Sequence, residues 1–421
     1  MKLPRLSHVQ SISGKVEAAT KTKDTGRWRD LTAYWILGLC NNYGYVVMLS
    51  AAHDIIANPG NSAEKHVEEK PENERYCHII STGAILLADI LPSLFIKSVC
   101  PFLPFYINVR IFLACFMQCA GFLLVAYADS YFMSVSGVVL TSLSSGLGEA
   151  SLLSYSSKFH KNVISTWSSG TGGAGIFGSF SYAALISMGV TPVNTILIML
   201  SVPLIEGAAF WFLLRDPRSI PKRDSETEFS AAVDDQETGV ENKKETLSLG
   251  DKIRYLPSLL KYMIPISLVY LFEYFINQGL FELVYFKNIW LDQPAQYRWL
   301  QVDYQIGVFV SRSSVNLVTI NKIWLMSVFQ FINVAIFLLE VIIFFSPSIW
   351  LVFGIVFWEG LLGGGAYVNT FYRMSKEVPE DKRNFALGVT SLADAIGIAL
   401  AGVFAIPVHN ELCRLPMPSR G

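Results

Sequence analysis

Charge is what this chain lacks. Only 16% of its 421 residues are Asp, Glu, Lys or Arg, against 52% apolar residues, and the formal net charge is −1. An ordinary soluble domain carries about 25% charge. Near-zero net charge without a long basic stretch argues against a nucleic-acid partner. The six cysteines (40, 77, 100, 115, 119 and 413) show no zinc spacing, and nothing in the sequence points to a metal or other cofactor. No Gly-x4-Gly-Lys-Ser/Thr loop is present, so ATP-driven transport has no support. No His-Glu-x-x-His or Gly-x-Ser-x-Gly motif supports an intramembrane enzyme. Asn-x-Ser/Thr glycosylation sites are absent. Residues 1–30 hold no apolar core, so the first apolar segment is expected to be the membrane signal itself. Lys2 stands where myristoylation needs glycine, and the last four residues, Pro418-Ser419-Arg420-Gly421, are not a prenylation box.

What is there is apolar sequence in runs of about 20, broken by polar stretches at 1–30, 54–78 and 215–255. Runs of that length read as membrane-spanning helices. Eleven spans are predicted: 31–53, 79–99, 110–128, 131–153, 162–188, 193–214, 261–286, 299–320, 323–345, 348–372 and 385–408. Trp167, Trp211, Trp290, Trp299, Trp324 and Trp350 fall near span ends, where an amphipathic ring prefers the headgroup level. With the N-terminus in the cytosol, 25 of the 33 Lys and Arg residues lie on the cytosolic side, which sets the orientation and puts the C-terminus on the far side. The expected class is an all-α polytopic membrane protein in a six-plus-five arrangement. Its parts are a cytosolic tail (1–30), a six-helix bundle (31–214), a cytosolic linker (215–260), a five-helix bundle (261–408) and a far-side tail (409–421). Asn42-Tyr43-Gly44 against Asn277-Gln278-Gly279, and Gly146-Leu147-Gly148-Glu149 against Glu359-Gly360 and Gly363-Gly364-Gly365, are a faint trace of a six-plus-six repeat with its last helix missing.

Ionisable residues within spans are costly and are functional candidates. Nine acids fall there: Asp89, Glu149, Glu206, Glu273, Glu282, Asp303, Glu340, Glu359 and Asp394. Arg312 is the one base counted inside a span, Lys97 and Arg110 being counted with the loop they flank. Nine cannot pair with one, so some must be neutralised or sit in a water-filled path. Glu206, Glu340 and Asp303 are read as lying near an interface. Glu273 and Asn277 share one face of the seventh span, and Gln278 and Glu282 a nearly opposite one. That makes the helix central, with a cavity favoured for Glu273 and Asn277 over plain interhelical glue. Arg312, mid-span, needs an anion: either Glu273 or another acid, or an anionic substrate on its fork. The two can alternate.

The glycines of 170–178 and 363–365 serve either close packing or hinging. His53, His66, His78 and His409 fall on the far side, either as a response to acidification or simply as loop residues. Cys77 and Cys413 are the only cysteines there, which leaves a disulfide between them open.

Long blocks of this sequence resemble the battenin family: Leu37-Gly38-Leu39-Cys40-Asn41-Asn42, Val46 through Ile55, Leu86-Leu87-Ala88-Asp89-Ile90-Leu91-Pro92, Ser144 through Glu149, Trp167 through Gly175, Glu273 through Leu283, Ser311-Arg312-Ser313-Ser314, and Glu359 through Gly364 with Ala366 through Phe371. The resemblance covers nearly all of 30–413. It implies a major-facilitator-like fold, residence in late endosomal and lysosomal membranes, and efflux of glycerophosphodiesters, phospholipid breakdown products, from the lumen. Vacuolar relatives imply basic amino-acid handling and pH balance instead. The acidic dileucine signal, prenylation box and luminal glycosylation sites expected from the family are not matched.

The expected activity is therefore alternating-access export of an anionic phosphodiester. Substrate would be held by Arg312, Glu273, Asn42, Asn277, Gln278 and Glu282. Asp89, Glu149, Glu359 and Asp394 are candidates to carry a coupling proton. A basic amino-acid transporter, or a trafficking scaffold whose partners bind the 215–260 loop, are the competing readings.

Overall fold

The computed structural model describes residues 6–57, 75, 82–100, 106–156, 159, 162–217, 249–287, 289–314 and 318–418. Among these every regular element is helical. The first half runs α1 (Leu6–Ser50), a short α2 (Ala52–Ala57), α3 (Thr82–Val99), α4 (Ile107–Ala126), α5 (Tyr131–Ser156), α6 (Asn162–Ser187), α7 (Pro192–Met199) and α8 (Ser201–Ala208), ending in a π turn at Ala209–Leu213. The second half runs α9 (Leu249–Phe275), a π turn (Ile276–Leu280) and a 3-10 turn (Phe281–Leu283), then α10 (Gln293–Ser313), α11 (Ile323–Ile343), α12 (Ile349–Glu377) and α13 (Glu380–Cys413). With α7–α8 one broken pass, and α9 with its two turns another, these make eleven passes. Seven segments are long and apolar enough to cross a bilayer on those grounds alone. The passes outside that set, α1, α5, α6 and α10, can be less apolar because their polar residues face protein. Ser142, Ser144 and Ser151 of α5 are buried, as are Gln296, Gln301 and Tyr304 of α10.

The packing repeats with a shift of six passes. The first pass lies on the fifth as the seventh lies on the eleventh. The second lies on the fourth as the eighth on the tenth, and the third on the fourth as the ninth on the tenth. Across the halves, the second pass meets the eleventh and the fifth meets the eighth, which the same shift interchanges. Backbone-to-backbone contact sets two of these crossings. A methyl group on Gly170 of α6 would run into the Trp35 carbonyl of α1, and one on Gly364 of α12 would meet the Val308 backbone of α10. These glycines are packing residues. Gly173 and Gly365, by contrast, have only ordinary neighbours.

Two sequence expectations need correction. The eighth pass starts at Gln293, not near 299, and ends at Ser313, not near 320. Its start is fixed by Asp292, whose Oδ1 accepts from the Ala295 amide at 2.8 Å, with Pro294 in the first turn. Arg312 therefore sits in the last helical turn, where the negative end of the helix dipole favours a cation. Trp167 is not a headgroup-level ring. It is 3% exposed in a cluster with Tyr34, Leu37 and Phe159, whereas Trp290, Trp324 and Trp350 are exposed.

Candidate functional site

The halves are joined by a band of polar contacts at one level, the side on which α1 ends, called here the far side. Arg298 Nη1 of α10 lies 2.9 Å from Asp54 Oδ1 of α2, and the Tyr182 hydroxyl of α6 donates to Asp54 Oδ2 at 2.9 Å. Both members of the ion pair are nearly buried. The Tyr297 hydroxyl lies 2.9 Å from the Leu49 carbonyl and 3.0 Å from Gln278 Oε1. Thr82 Oγ1 donates to the Gln278 carbonyl at 2.6 Å, and the Thr82 amide to Glu282 Oε2 at 3.3 Å. Glu282 Oε1 lies 2.7 Å from His409 Nε2 of α13. Arg75, on the connection between the first two passes, adds a clamp: its Nη1 donates to the Val341 carbonyl (2.6 Å) and its Nε to the Leu415 carbonyl (3.1 Å).

Four of the predicted site residues are packed inside the protein in this conformation, Glu273 Oε2 and Asn277 Oδ1 without a hydrogen-bond partner. Gln278 and Glu282 are part of the seal. Glu273 accepts from the Tyr304 hydroxyl and lies against Gly363, and the Asn277 carbonyl accepts from Gln301 Nε2 at 3.0 Å. All four are nine-tenths buried or more. The two-face geometry expected for Glu273 and Asn277 is altered because the pass is not a regular α-helix there. The π turn and the following 3-10 turn break the i, i+4 register on which the two-face reading rested. His409, left open by the sequence between an acid-responsive group and a loop residue, is 1% exposed. The side chains of His53, His66 and His78 lie outside the described residues. Cys413 is disulfide-bonded while Cys40, Cys100, Cys115 and Cys119 are free, and Cys77 lies outside the described residues.

Deeper toward the opposite, near side is a cluster of mixed sign. Lys97 of α3 pairs with Glu149 of α5 at 2.6 Å, and their side chains are 30% and 29% exposed. Arg312 faces them from the second half. Its Nη2 donates to the Tyr270 hydroxyl at 3.2 Å, its guanidinium carbon lies 4.5 Å from the Tyr367 ring centroid, and its Nε has no partner. No carboxylate among the described residues lies within ion-pair distance of it, so Glu273 does not neutralise it here. Asp394 of α13, half-buried, accepts at 2.7 Å from the next amide in its own chain, that of Ala395, and has Lys97, Glu149 and Arg312 as its charged neighbours. Asn42, also half-buried, sits beside Ser145, whose hydroxyl donates to Asn42 Oδ1 at 3.4 Å.

The remaining candidates separate by environment. Asp89 and Glu359 are wholly buried with no partner on any carboxyl oxygen. Glu206, expected at an interface, is equally buried and unpartnered. Glu340, expected there too, is 2% exposed because its Oε2 accepts from the Ser346 amide at 2.8 Å and closes the end of α11. Asp303 is half-buried, and its Oδ2 lacks a partner. Lys97, Asp54, Arg298 and Tyr182 were missed by sequence reasoning. The two bases lie near span ends, where a basic residue ordinarily marks orientation. A signal was available for Lys97: it sits two turns beyond Asp89 on a helix already interrupted by Pro92.

Residues 32–415 match the CLN3 protein family. The chain belongs to that family. It is 44% identical over 406 residues to battenin of the dog, Canis lupus familiaris, covering 92% of each chain. It is 36% identical over 398 residues to protein BTN1 of Yarrowia lipolytica, covering 90% of this chain and 94% of that one. Solved structures share the fold at low identity. A bacterial homologue of the human lysosomal transporter Spinster, inward-facing and unoccupied, superposes with a TM-score of 0.59 at 14% identity, covering 90% of this chain and 81% of that one. A D-xylose–proton symporter gives 0.56 at 10%, covering 90% and 89%. The chain is a multi-pass membrane protein with the major-facilitator-like fold.

Proposed function

We propose that the protein is a lysosomal transporter that exports glycerophosphodiesters to the cytosol by alternating access, the 31–214 and 261–408 bundles rocking about the cluster between them. The observation that carries this reading is Arg312. It is a guanidinium with an aromatic floor and a hydroxyl acceptor but no carboxylate, facing the other half below a closed polar seal. An ion so placed is an anion receptor, and its fork matches two phosphate oxygens. Asn42 offers an amide to glycerol hydroxyls. Asp89 and Glu359, buried without partners, are the groups best placed to carry a coupling proton. With the far side as the lumen, the conformation described is closed to the lumen.

The test is uptake of labelled glycerophosphoglycerol into proteoliposomes holding the purified protein. Uptake that Arg312→Ala reduces at least tenfold supports the reading. Uptake indifferent to that change removes Arg312 from the path, and no uptake in the parent protein ends the proposal.

A further inference from the structure

The far-side seal holds a histidine where a change of protonation bears on the contact between the halves. His409 Nε2 lies 2.7 Å from Glu282 Oε1, and both side chains are almost wholly buried. The same carboxylate is a joint to the other half. Its Oε2 accepts from the Thr82 amide at 3.3 Å, and the Thr82 hydroxyl donates to the Gln278 carbonyl at 2.6 Å. Thr82 opens α3, and an amide there has no partner within its helix, so it welcomes an anion. Glu282 therefore meets its own half on one oxygen and the opposite half on the other.

The neighbours of the pair leave its charge to the pair itself. On α13 the imidazole lies beside Asn410 and the disulfide-bonded Cys413, whose Sγ is 3.5 Å from Nε2. The eighth pass contributes Tyr297 as a neighbour of Glu282, and Gln293, whose amide donates to the Glu282 carbonyl at 3.4 Å. From α3 comes Thr82, with Asp89 two turns deeper. Further out, Arg414 pairs with Glu411, and Arg75 is held by main-chain carbonyls. With one proton the buried pair is neutral overall. Without it, a carboxylate charge is left beside a neutral ring, which burial disfavours. Parting the halves removes Thr82 and lets water reach both groups. Each then behaves as in solution, the imidazole losing its proton near pH 6.5 and the carboxyl taking one only below about 4.3.

We infer that Glu282 and His409 form a proton-binding gate: closing the far side takes up one proton onto the pair, and a rise in far-side pH favours opening. Below about pH 6.5 the pair is protonated in both conformations and closure is at full strength. Above it, closure must draw a proton from solution, and the closed-to-open ratio falls by up to about tenfold per pH unit. Below about pH 4.3 the open form takes a second proton and closure weakens again. The pair stays at the far side throughout, so its proton returns to the compartment it came from and is not cargo. With the far side as the lumen, acidity keeps the carrier shut toward the lumen, and alkalinisation relaxes that bias. This rests on the alternating-access part of the reading above and on none of its substrate.

The experiment measures the distance between spin labels on cysteines placed at Met188 and Trp290, exposed far-side positions of the two halves. Cys115 and Cys119, the half-buried free thiols, are changed to serine, and the protein is held in nanodiscs at pH 5.5 and 8.0. The expected result is a short distance at pH 5.5 and a longer population at pH 8.0 that lowers the closed-to-open ratio at least threefold. His409→Gln keeps a side-chain amide donor and cannot titrate, so its ratio should be the same at both pH values. A parent ratio that does not fall, or a His409→Gln ratio that falls as the parent's does, overturns the inference. Should His409→Gln fail to fold, Glu282→Gln decides: it must abolish or reverse the pH response, and an unchanged response overturns the inference. An Arg298→Ala sample separates the two readings. Lengthening there, with none in the parent at pH 8.0, overturns the gate alone, whereas one fixed distance in every sample overturns the rocking of the halves as well.

Discussion

Arg298 of the eighth pass reaches Asp54, at the far end of the first, across the boundary between the two halves, with 2.9 Å between Nη1 and Oδ1. Among the described residues it is the one ion pair that joins the two halves on that side, so it is the main electrostatic lock of the described seal. Removing one member of a nearly buried pair strands the other and costs about 3–5 kcal/mol in typical cases. The Tyr182 hydroxyl would still serve Asp54, so the lower end applies. Arg298→Ala should lower the midpoint of thermal unfolding. It should also raise the rate at which a cysteine placed at Gln278 reacts with a thiol reagent added from the far side. An unchanged labelling rate would show that the pair does not hold the seal shut.

Arg312→Lys tests the fork. Lysine keeps the charge but loses bidentate geometry and stacking on Tyr367. Transport should drop about tenfold, with the larger part in apparent affinity, and Arg312→Ala should do worse. Equal behaviour of Lys and Arg would mean that a point charge suffices.

Gly170→Ala should destabilise the protein by about 1–3 kcal/mol through overpacking against the Trp35 carbonyl. Gly173→Ala, one turn on, has 3.5 Å to its nearest neighbour and should be close to neutral. Thermal unfolding of the two single variants in the same detergent checks the contrast, and similar losses from both would contradict it.

At the near-side end of α12, the Tyr262 hydroxyl first of all, then Arg373 and Lys261, holds the Glu377 carboxyl down to about 2 from its ordinary 4.5. A depressed carboxylate adds stability above its unfolded pKa and loses it as pH falls through the folded one. Glu377→Gln should therefore be slightly less stable than the parent at pH 7, the carboxylate being partly exposed and screened. The difference should shrink below about pH 4.5 and vanish near pH 2. A gap that persists at pH 3 and below unchanged from pH 7 would count against the assignment.

Hydropathy made the eleven passes and the six-plus-five division legible, because each pass must be long and apolar enough to cross. It misplaced the eighth, since Gln293 through Gln301 is polar and only the Asp292 cap and Pro294 reveal that a helix has begun. The intramembrane acids were legible as unusual but not as partnered or bare. Whether Glu282 meets His409, or Glu359 meets nothing, depends on which passes adjoin, and that is set by glycine crossings between residues far apart in sequence. Arg312 stood out because one base among nine acids is conspicuous. Lys97 did not, because a lysine at a helix end is ordinary until a neighbouring helix brings Glu149 to it.

Arg75 belongs by sequence to the first half, yet its guanidinium is spent on carbonyls of the second: Val341 and Ile342 at the end of α11, and Leu415 and Pro416 beyond α13. In the proposed cycle the far side must part. Stripping Arg75 away would leave a buried cation and several main-chain acceptors bare at once. Leaving it attached keeps those acceptors satisfied, so Arg75 would travel as a passenger of the half it does not belong to by sequence.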